Sequence, residues 1–276
     1  MSSGVEDDEA DLTRKQRREQ ARAERKALEE EQAASVKRKA RLTQLGIVVA
    51  VVIVAVVAIL IATGGGGAKK VAPHSSEANA TVAEVDNLIG GIPQSGNTLG
   101  NPNAPVTLQY FGDLECPVCK EFTLGALPAI VQKWVKTGKV KIEYRSLQTA
   151  TREPEVFKTQ QVAAYAAGKQ NKAWNFIETF YHEQGEEGSG YVSESYLQGL
   201  AQQVPGLNLT KWTSDRNDPE LANQVEVDKQ AANSQGFTGT PSFLIGKTGG
   251  SPQKLEYQSL TEPASFDEAI EKLLKG

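Results

Sequence analysis

Apolar residues fall along this chain in three regimes. They are sparse before residue 45, unbroken from 45 to 62, and periodic from about residue 106 onward. The periodic part yields most of the expected elements. Residues 106–111, Val-Thr-Leu-Gln-Tyr-Phe, predict a strand entered through the turn residues Asn101-Pro102-Asn103-Ala104-Pro105. Leu127, Ile130, Val131 and Trp134 recur at helical spacing. Pro128 inside that pattern predicts a kink, and Gly138 its end. Val140, Ile142 and Tyr144 alternate with Lys141, Glu143 and Arg145, the mark of a strand with one buried face. Residues 153–235 read as helical, with Ala173, Trp174, Ile177, Phe180 and Tyr181 on one apolar stripe and Leu197, Leu200, Ala201 and Val204 on another. Asp218 and Pro219 read as an N-cap and first helical position, and Gly236 as the stop. Residues 242–245 and 253–257 predict two strands joined by a Gly-rich turn. A last helix is expected from Ser265, with Glu268 completing a capping box and Phe266, Ala269, Ile270, Leu273 and Leu274 inward. This order predicts a mixed α/β domain over residues 90–276, with one sheet covered on both faces and a helical insertion at about 153–235.

The unbroken run has another meaning. Its length at about 1.5 Å per residue reaches roughly 27 Å, close to a hydrocarbon core of about 30 Å. Lys37, Arg38, Lys39 and Arg41 precede it, while only Lys69 and Lys70 follow closely, after Gly64, Gly65, Gly66 and Gly67. The positive-inside bias then places residues 1–44 in the cytoplasm, a transmembrane anchor at 45–63, and everything after it outside. A cleaved signal peptide is the competing reading, against which the long charged lead argues. Residues 1–44 are rich in helix-forming Arg, Lys, Glu, Gln and Ala but lack a sustained apolar seam, so they read as a solvated segment, disordered or helical. Residues 64–89 read as a linker. Charge sharpens the division: residues 71–276 carry 17 Lys and Arg against 24 Asp and Glu. A domain this acidic argues against nucleic acid as its ligand.

The chain has 2 cysteines, Cys116 and Cys119, where the first strand gives way to a helix. A structural disulfide between them closes a tiny loop and removes little unfolded-state entropy. A zinc site wants about four ligands, but the histidines are His74, in the expected linker, and His182, far downstream. A redox dithiol fits better. Positions i and i+3 share a helix face, Pro117 suits the first helical position, and the free N–H groups and dipole of a helix start favour a thiolate at Cys116. In such motifs the thiol pKa falls to about 3.5–7.5. Cys116 is then the exposed nucleophile and Cys119 the resolving thiol.

Residues 111–119, Phe-Gly-Asp-Leu-Glu-Cys-Pro-Val-Cys, and residues 239–243, Gly-Thr-Pro-Ser-Phe, together with the helical stretch between them, resemble the thioredoxin superfamily, and specifically its DsbA-like branch of membrane-anchored bacterial type. The resemblance covers residues 90–276. It implies a thioredoxin-like fold with a helical insertion, a redox-active Cys116–Cys119 disulfide, a cis Pro241 facing the cysteines, and a Thr240 backbone that pairs with an extended substrate beside Cys116. Two positions depart from the pattern. Oxidising relatives often carry His where this chain has Val118, and many carry a buried acid where it has Tyr110. Asp113 and Glu115 lie nearby and are expected to face solvent or a turn.

The expected function is a membrane-anchored, extracytoplasmic thiol–disulfide oxidoreductase that forms disulfides in reduced or unfolded exported proteins, with no cofactor or metal of its own. A quinone-linked membrane oxidant is the redox partner that the resemblance implies. The alternatives are a reductase or isomerase fed electrons from the membrane, and a non-catalytic module that uses the same groove to hold extended peptides.

Overall fold

The computed structural model describes Ala72 and residues 75–275. The charged segment 1–44 and the expected anchor 45–63 lie outside the described residues. No helix among the described residues is long and apolar enough to cross a membrane.

The fold begins earlier than its strand pattern predicts. Residues 76–89, placed in the linker by the sequence reading, form helix α1 (Ser76–Ile89), capped by the Ser75 side chain, which accepts from Ala78 N at 3.0 Å. Ala78, Val85 and Ile89 are buried on one face at helical spacing. Two short strands follow, β1 (Gln94–Ser95) and β2 (Thr98–Leu99), which the sequence reading left without an element. Then come β3 (Val106–Gly112), helix α2 (Pro117–Leu124) and α3 (Ala126–Ile130), the last running into a π-helical turn at Val131–Val135. The kink expected from Pro128 is a break at Gly125. The proline ring would clash with the carbonyl of Leu124, four residues earlier. A Cβ on Gly125 would lie 2.5 Å from Glu121 O, and Ala126 N donates outside the helix to Leu260 O at 2.9 Å.

β4 (Val140–Ser146) leads into the insertion: α4 (Pro154–Gly168), α5 (Ala173–His182), α6 (Glu194–Gln203), α7 (Leu209–Asp215) and α8 (Pro219–Ser234). Asp218 caps α8 by accepting from Glu220 N at 2.9 Å, and Gly236 follows its end at φ 66°. β5 (Ser242–Lys247), β6 (Gln253–Lys254) and α9 (Ala264–Lys275) complete the chain. β6 is shorter than expected. The capping box expected at Ser265 does not form, because α9 begins one residue earlier and Ser265 Oγ instead accepts from Gln258 N at 3.2 Å.

The strands lie in the order β1-β2-β4-β3-β5-β6. β3 runs parallel to β4 and antiparallel to β5, with Tyr110 opposite both Tyr144 and Phe243, and Phe111 opposite Ser242. One face is fully covered. There Tyr110, Phe122, Phe243 and Phe266 make edge, tilted and stacked ring contacts at centroid distances of 4.7–5.5 Å. The other face departs from the expected two-sided cover. Phe111, Leu147, Ala232 and Leu244 close only its end, under α8, while Thr107, Gln109, Lys141 and Glu143 stay half-exposed.

Candidate active site

Antiparallel pairing of β3 and β5 brings the end of one against the start of the other. The loop leaving β3 carries Cys116, and the loop entering β5 carries Thr240 and Pro241. The Thr240–Pro241 peptide bond is cis. The six residues picked from sequence, Cys116, Pro117, Val118, Cys119, Thr240 and Pro241, are thus gathered at one end of the sheet.

Cys116 is the N-cap of α2, with extended backbone at φ −74° and ψ 118°, and Pro117 takes the first helical position. Both cysteines are free thiols. Cys116 Sγ accepts from Cys119 N at 3.4 Å and lies 3.5 Å from Thr240 O. Cys116, expected to stand exposed, is only 5% exposed, because the Thr240–Pro241 loop lies against it. Cys119, one turn into α2, is fully buried, whereas Val118 is 42% exposed beside them.

The two thiols differ in acidity. Hydrogen bonding from the Cys119 side chain, helped by Thr240 and the helix-start amides, outweighs burial and lowers the Cys116 thiol from 9.0 to about 6. Burial raises the Cys119 thiol well above 9.0. One sulfur ionised near neutral pH beside one held protonated is the arrangement thiol–disulfide exchange requires. Alkylation of Cys116 in the reduced protein should therefore rise through a midpoint at about pH 6; a midpoint at the ordinary thiol value contradicts the geometry. The depressed Cys116 pKa adds stability to the reduced form as pH rises from about 6 towards 9.0, and this is lost as pH falls through 6. Above 9.0 the raised Cys119 pKa acts in the opposite sense.

Several residues that position this pair were not picked out from sequence. Asp113, expected at the surface, is fully buried, and Glu115 is 5% exposed. Asp113 Oδ2 accepts from the backbone N–H of Thr149, Ala150 and Thr151, each at 2.9 Å. Its Oδ1 accepts from Glu115 N at 3.1 Å and Thr151 Oγ1 at 2.6 Å, and its carbonyl accepts from Cys116 N at 3.0 Å. Asp113 turns inward because the 149–151 loop, distant in sequence, brings it these donors. That loop also meets the proline loop, Thr149 Oγ1 lying 2.5 Å from Thr240 Oγ1. From the insertion, Gln184 Nε2 donates to Leu114 O at 2.8 Å and Cys116 O at 3.1 Å. Burial pushes the Glu115 carboxyl up. Tyr110 OH lies 3.1 Å from Tyr181 OH, 3.3 Å from Thr123 Oγ1 and 3.5 Å from Cys119 O.

Comparison with known proteins agrees with this layout. The Thioredoxin family model matches residues 94–271. The probable disulfide bond formation protein D of Bacillus anthracis is 24% identical over 179 residues, covering 64% of this chain and 78% of that protein. Disulfide bond formation protein D of Bacillus subtilis is 25% identical over 183 residues, covering 64% and 77%. The crystal structure of oxidised BdbD from Bacillus subtilis superposes with a TM-score of 0.56 at 24% identity, covering 68% of this chain and 99% of that one. This last likeness speaks for the fold.

Proposed function

We propose, from the premise that this chain belongs to the thioredoxin family and is a thiol–disulfide oxidoreductase of the DsbA-like kind, that it introduces disulfide bonds into exported proteins outside the cytoplasm, tethered by residues 45–63 with residues 1–44 inside. The observation that carries this reading is the placement of the two sulfurs: Cys116 Sγ at the start of α2, 3.4 Å from Cys119 N and 3.5 Å from Thr240 O, with Cys119 fully buried one turn in. A thiolate stabilised at Cys116 favours the reduced enzyme, and so makes the disulfide a better oxidant. The named activities of the Bacillus relatives point the same way.

The chemistry follows from the placement. A substrate thiolate attacks Cys116 Sγ of the Cys116–Cys119 disulfide, and Cys119 leaves. A second substrate thiolate then attacks the substrate sulfur of the mixed disulfide and releases Cys116 as a thiolate. The Thr240 backbone pairs with an extended substrate segment, and Val118 offers an apolar contact at the rim. Two electrons thus pass to the enzyme; one proton ends on Cys119 and the other goes to solvent, Cys116 staying a thiolate, and a quinone-linked membrane oxidant removes the electrons.

A reductase or isomerase is the second reading, favoured by the apolar Val118 in the place of a side-chain donor. The reduction potential separates the two. Equilibration with glutathione should give a value nearer the oxidising end at about −120 mV than the thioredoxin end at about −270 mV; a value at the thioredoxin end overturns the oxidase.

A further inference from the structure

The insertion reaches the redox loop through the end of α5. Tyr181 OH donates to Asp113 O at 3.2 Å, while Gln184 Nε2 donates to Leu114 O at 2.8 Å and to Cys116 O at 3.1 Å. Three carbonyls of the loop between β3 and α2 thus receive donors from two residues of one turn, closed by Gln184 N on Tyr181 O at 3.4 Å. Both partners of Gln184 are carbonyls, which only accept, so its amide nitrogen must face them. Gln184 is itself held on either side. Tyr196 OH of α6 donates to Glu183 O at 2.9 Å. Gly185 lies against Tyr191, where a Cβ would stand 2.6 Å from the ring. A donor locked by its own surroundings can dictate the geometry of the backbone it touches.

That backbone is the N-cap of α2. The ψ angle of Cys116, 118°, sets both where its carbonyl points and where the first amides of α2 stand relative to Sγ. The carbonyl accepts from Lys120 N at 3.1 Å as well as from Gln184, so its direction is fixed from the helix and from the insertion together. On the other side of the same rotation, Cys119 N donates to Sγ at 3.4 Å. The peptide before Cys116 is fixed too, since Cys116 N donates at 3.0 Å to the Asp113 carbonyl that Tyr181 holds. The backbone amides of Val118 and Cys119 are among the groups that keep the Cys116 thiol acidic.

We propose that Gln184 and Tyr181 are positioning residues of the redox centre: by fixing the carbonyls of Asp113, Leu114 and Cys116 they aim the Val118 and Cys119 N–H groups at Cys116 Sγ, and so raise the oxidising power of the Cys116–Cys119 disulfide. The inference rests on Cys116–Cys119 being the redox pair. An N–H aimed at Sγ favours the thiolate, the reduced form gains, and the disulfide takes electrons more readily. Val118, whose side chain has no polar atom, adds no donor of its own. The other titratable groups at this thiol are Cys119 of α2, Asp113 and Glu115 of its own loop, Tyr181 of α5, and Tyr257 after β6, which feels the charge of both cysteines. Replacing Gln184 leaves all of them in place.

The test compares the full-length protein with Gln184→Met, which keeps the shape of the side chain without its donor, and with Tyr181→Phe. Two redox readings are taken: the pH midpoint of Cys116 alkylation in the reduced protein, and the reduction potential by equilibration with glutathione. Gln184→Met should raise the alkylation midpoint from about 6 to about 7, a tenfold loss of thiolate. The same tenfold change should lower the potential by about 30 mV at pH 8. Tyr181→Phe should move both readings in the same direction by less, because Asp113 O keeps its bond from Cys116 N. The thermal midpoint of Gln184→Met should fall, since two buried carbonyls lose a donor. A merely structural role predicts that fall alone. Both redox readings unchanged in Gln184→Met, whatever its thermal midpoint, overturn the proposal; should that variant not fold, the same readings on Tyr181→Phe decide. Oxidation of a reduced two-cysteine peptide that survives Cys116→Ser would instead overturn the redox-pair reading beneath it.

Discussion

Cys116→Ser abolishes oxidation of a reduced two-cysteine peptide. The hydroxyl cannot form the disulfide that stores the oxidising equivalents, so the loss should be roughly 10⁴-fold or more, on the scale of nucleophile removal in other enzymes. The fold should be untouched, because Cys116 Sγ makes only weak contacts, to the Cys119 thiol, to Cys119 N at 3.4 Å and to Thr240 O at 3.5 Å. Cys119→Ser behaves differently. It leaves the more acidic thiol in place but cannot form the Cys116–Cys119 disulfide; mixed with a disulfide-bonded peptide, its Cys116 thiolate attacks one peptide sulfur and displaces the other, and the adduct, with no Cys119 to resolve it, accumulates and is seen by non-reducing electrophoresis. Turnover that survives Cys116→Ser, or a Cys119→Ser protein that traps nothing, contradicts these roles.

The second large effect falls on stability. Asp113→Ala strips the acceptor from four backbone N–H groups, those of Glu115, Thr149, Ala150 and Thr151, and from the Thr151 hydroxyl. Each buried donor left unmade costs about 1–3 kcal/mol. Water entering the gap offsets part of this, so the net loss should be about 3–5 kcal/mol, within the range for a broken buried network. Activity should fall with it, since the 149–151 loop, released from the carboxylate, holds Thr240 through Thr149. Urea unfolding with a parallel peptide-oxidation assay measures both. An unchanged midpoint would show that the five donors find other partners.

What could be read from the chain alone has a physical pattern. Cys116, Pro117 and Cys119 were legible because a helix start, an i,i+3 spacing and a proline at the first helical position are local features. The apolar stripe of α5 was legible too, since Ala173, Trp174, Ile177, Phe180 and Tyr181 are all fully buried. The cis Pro241 and its partnership with Cys116 came only through family resemblance, because β3–β5 pairing is non-local. Asp113 turns inward for the same reason: four of its five donors lie 36–38 residues on. A local clue was its position at a strand end between Phe111 and Leu114. Helix α1 was passed over because its buried Ala78, Val85 and Ile89 are thinly spread among polar residues, although Ser75 is a good cap.

The oxidase assignment is tested most directly by trapping the thiols of intact cells with acid and a thiol-reactive mass tag, and reading the redox state of Cys116 and Cys119. An enzyme that gives disulfides to exported proteins and is reoxidised at the membrane should be found mostly as the Cys116–Cys119 disulfide. A mostly reduced pair would contradict it and mark the chain as a reductase or isomerase.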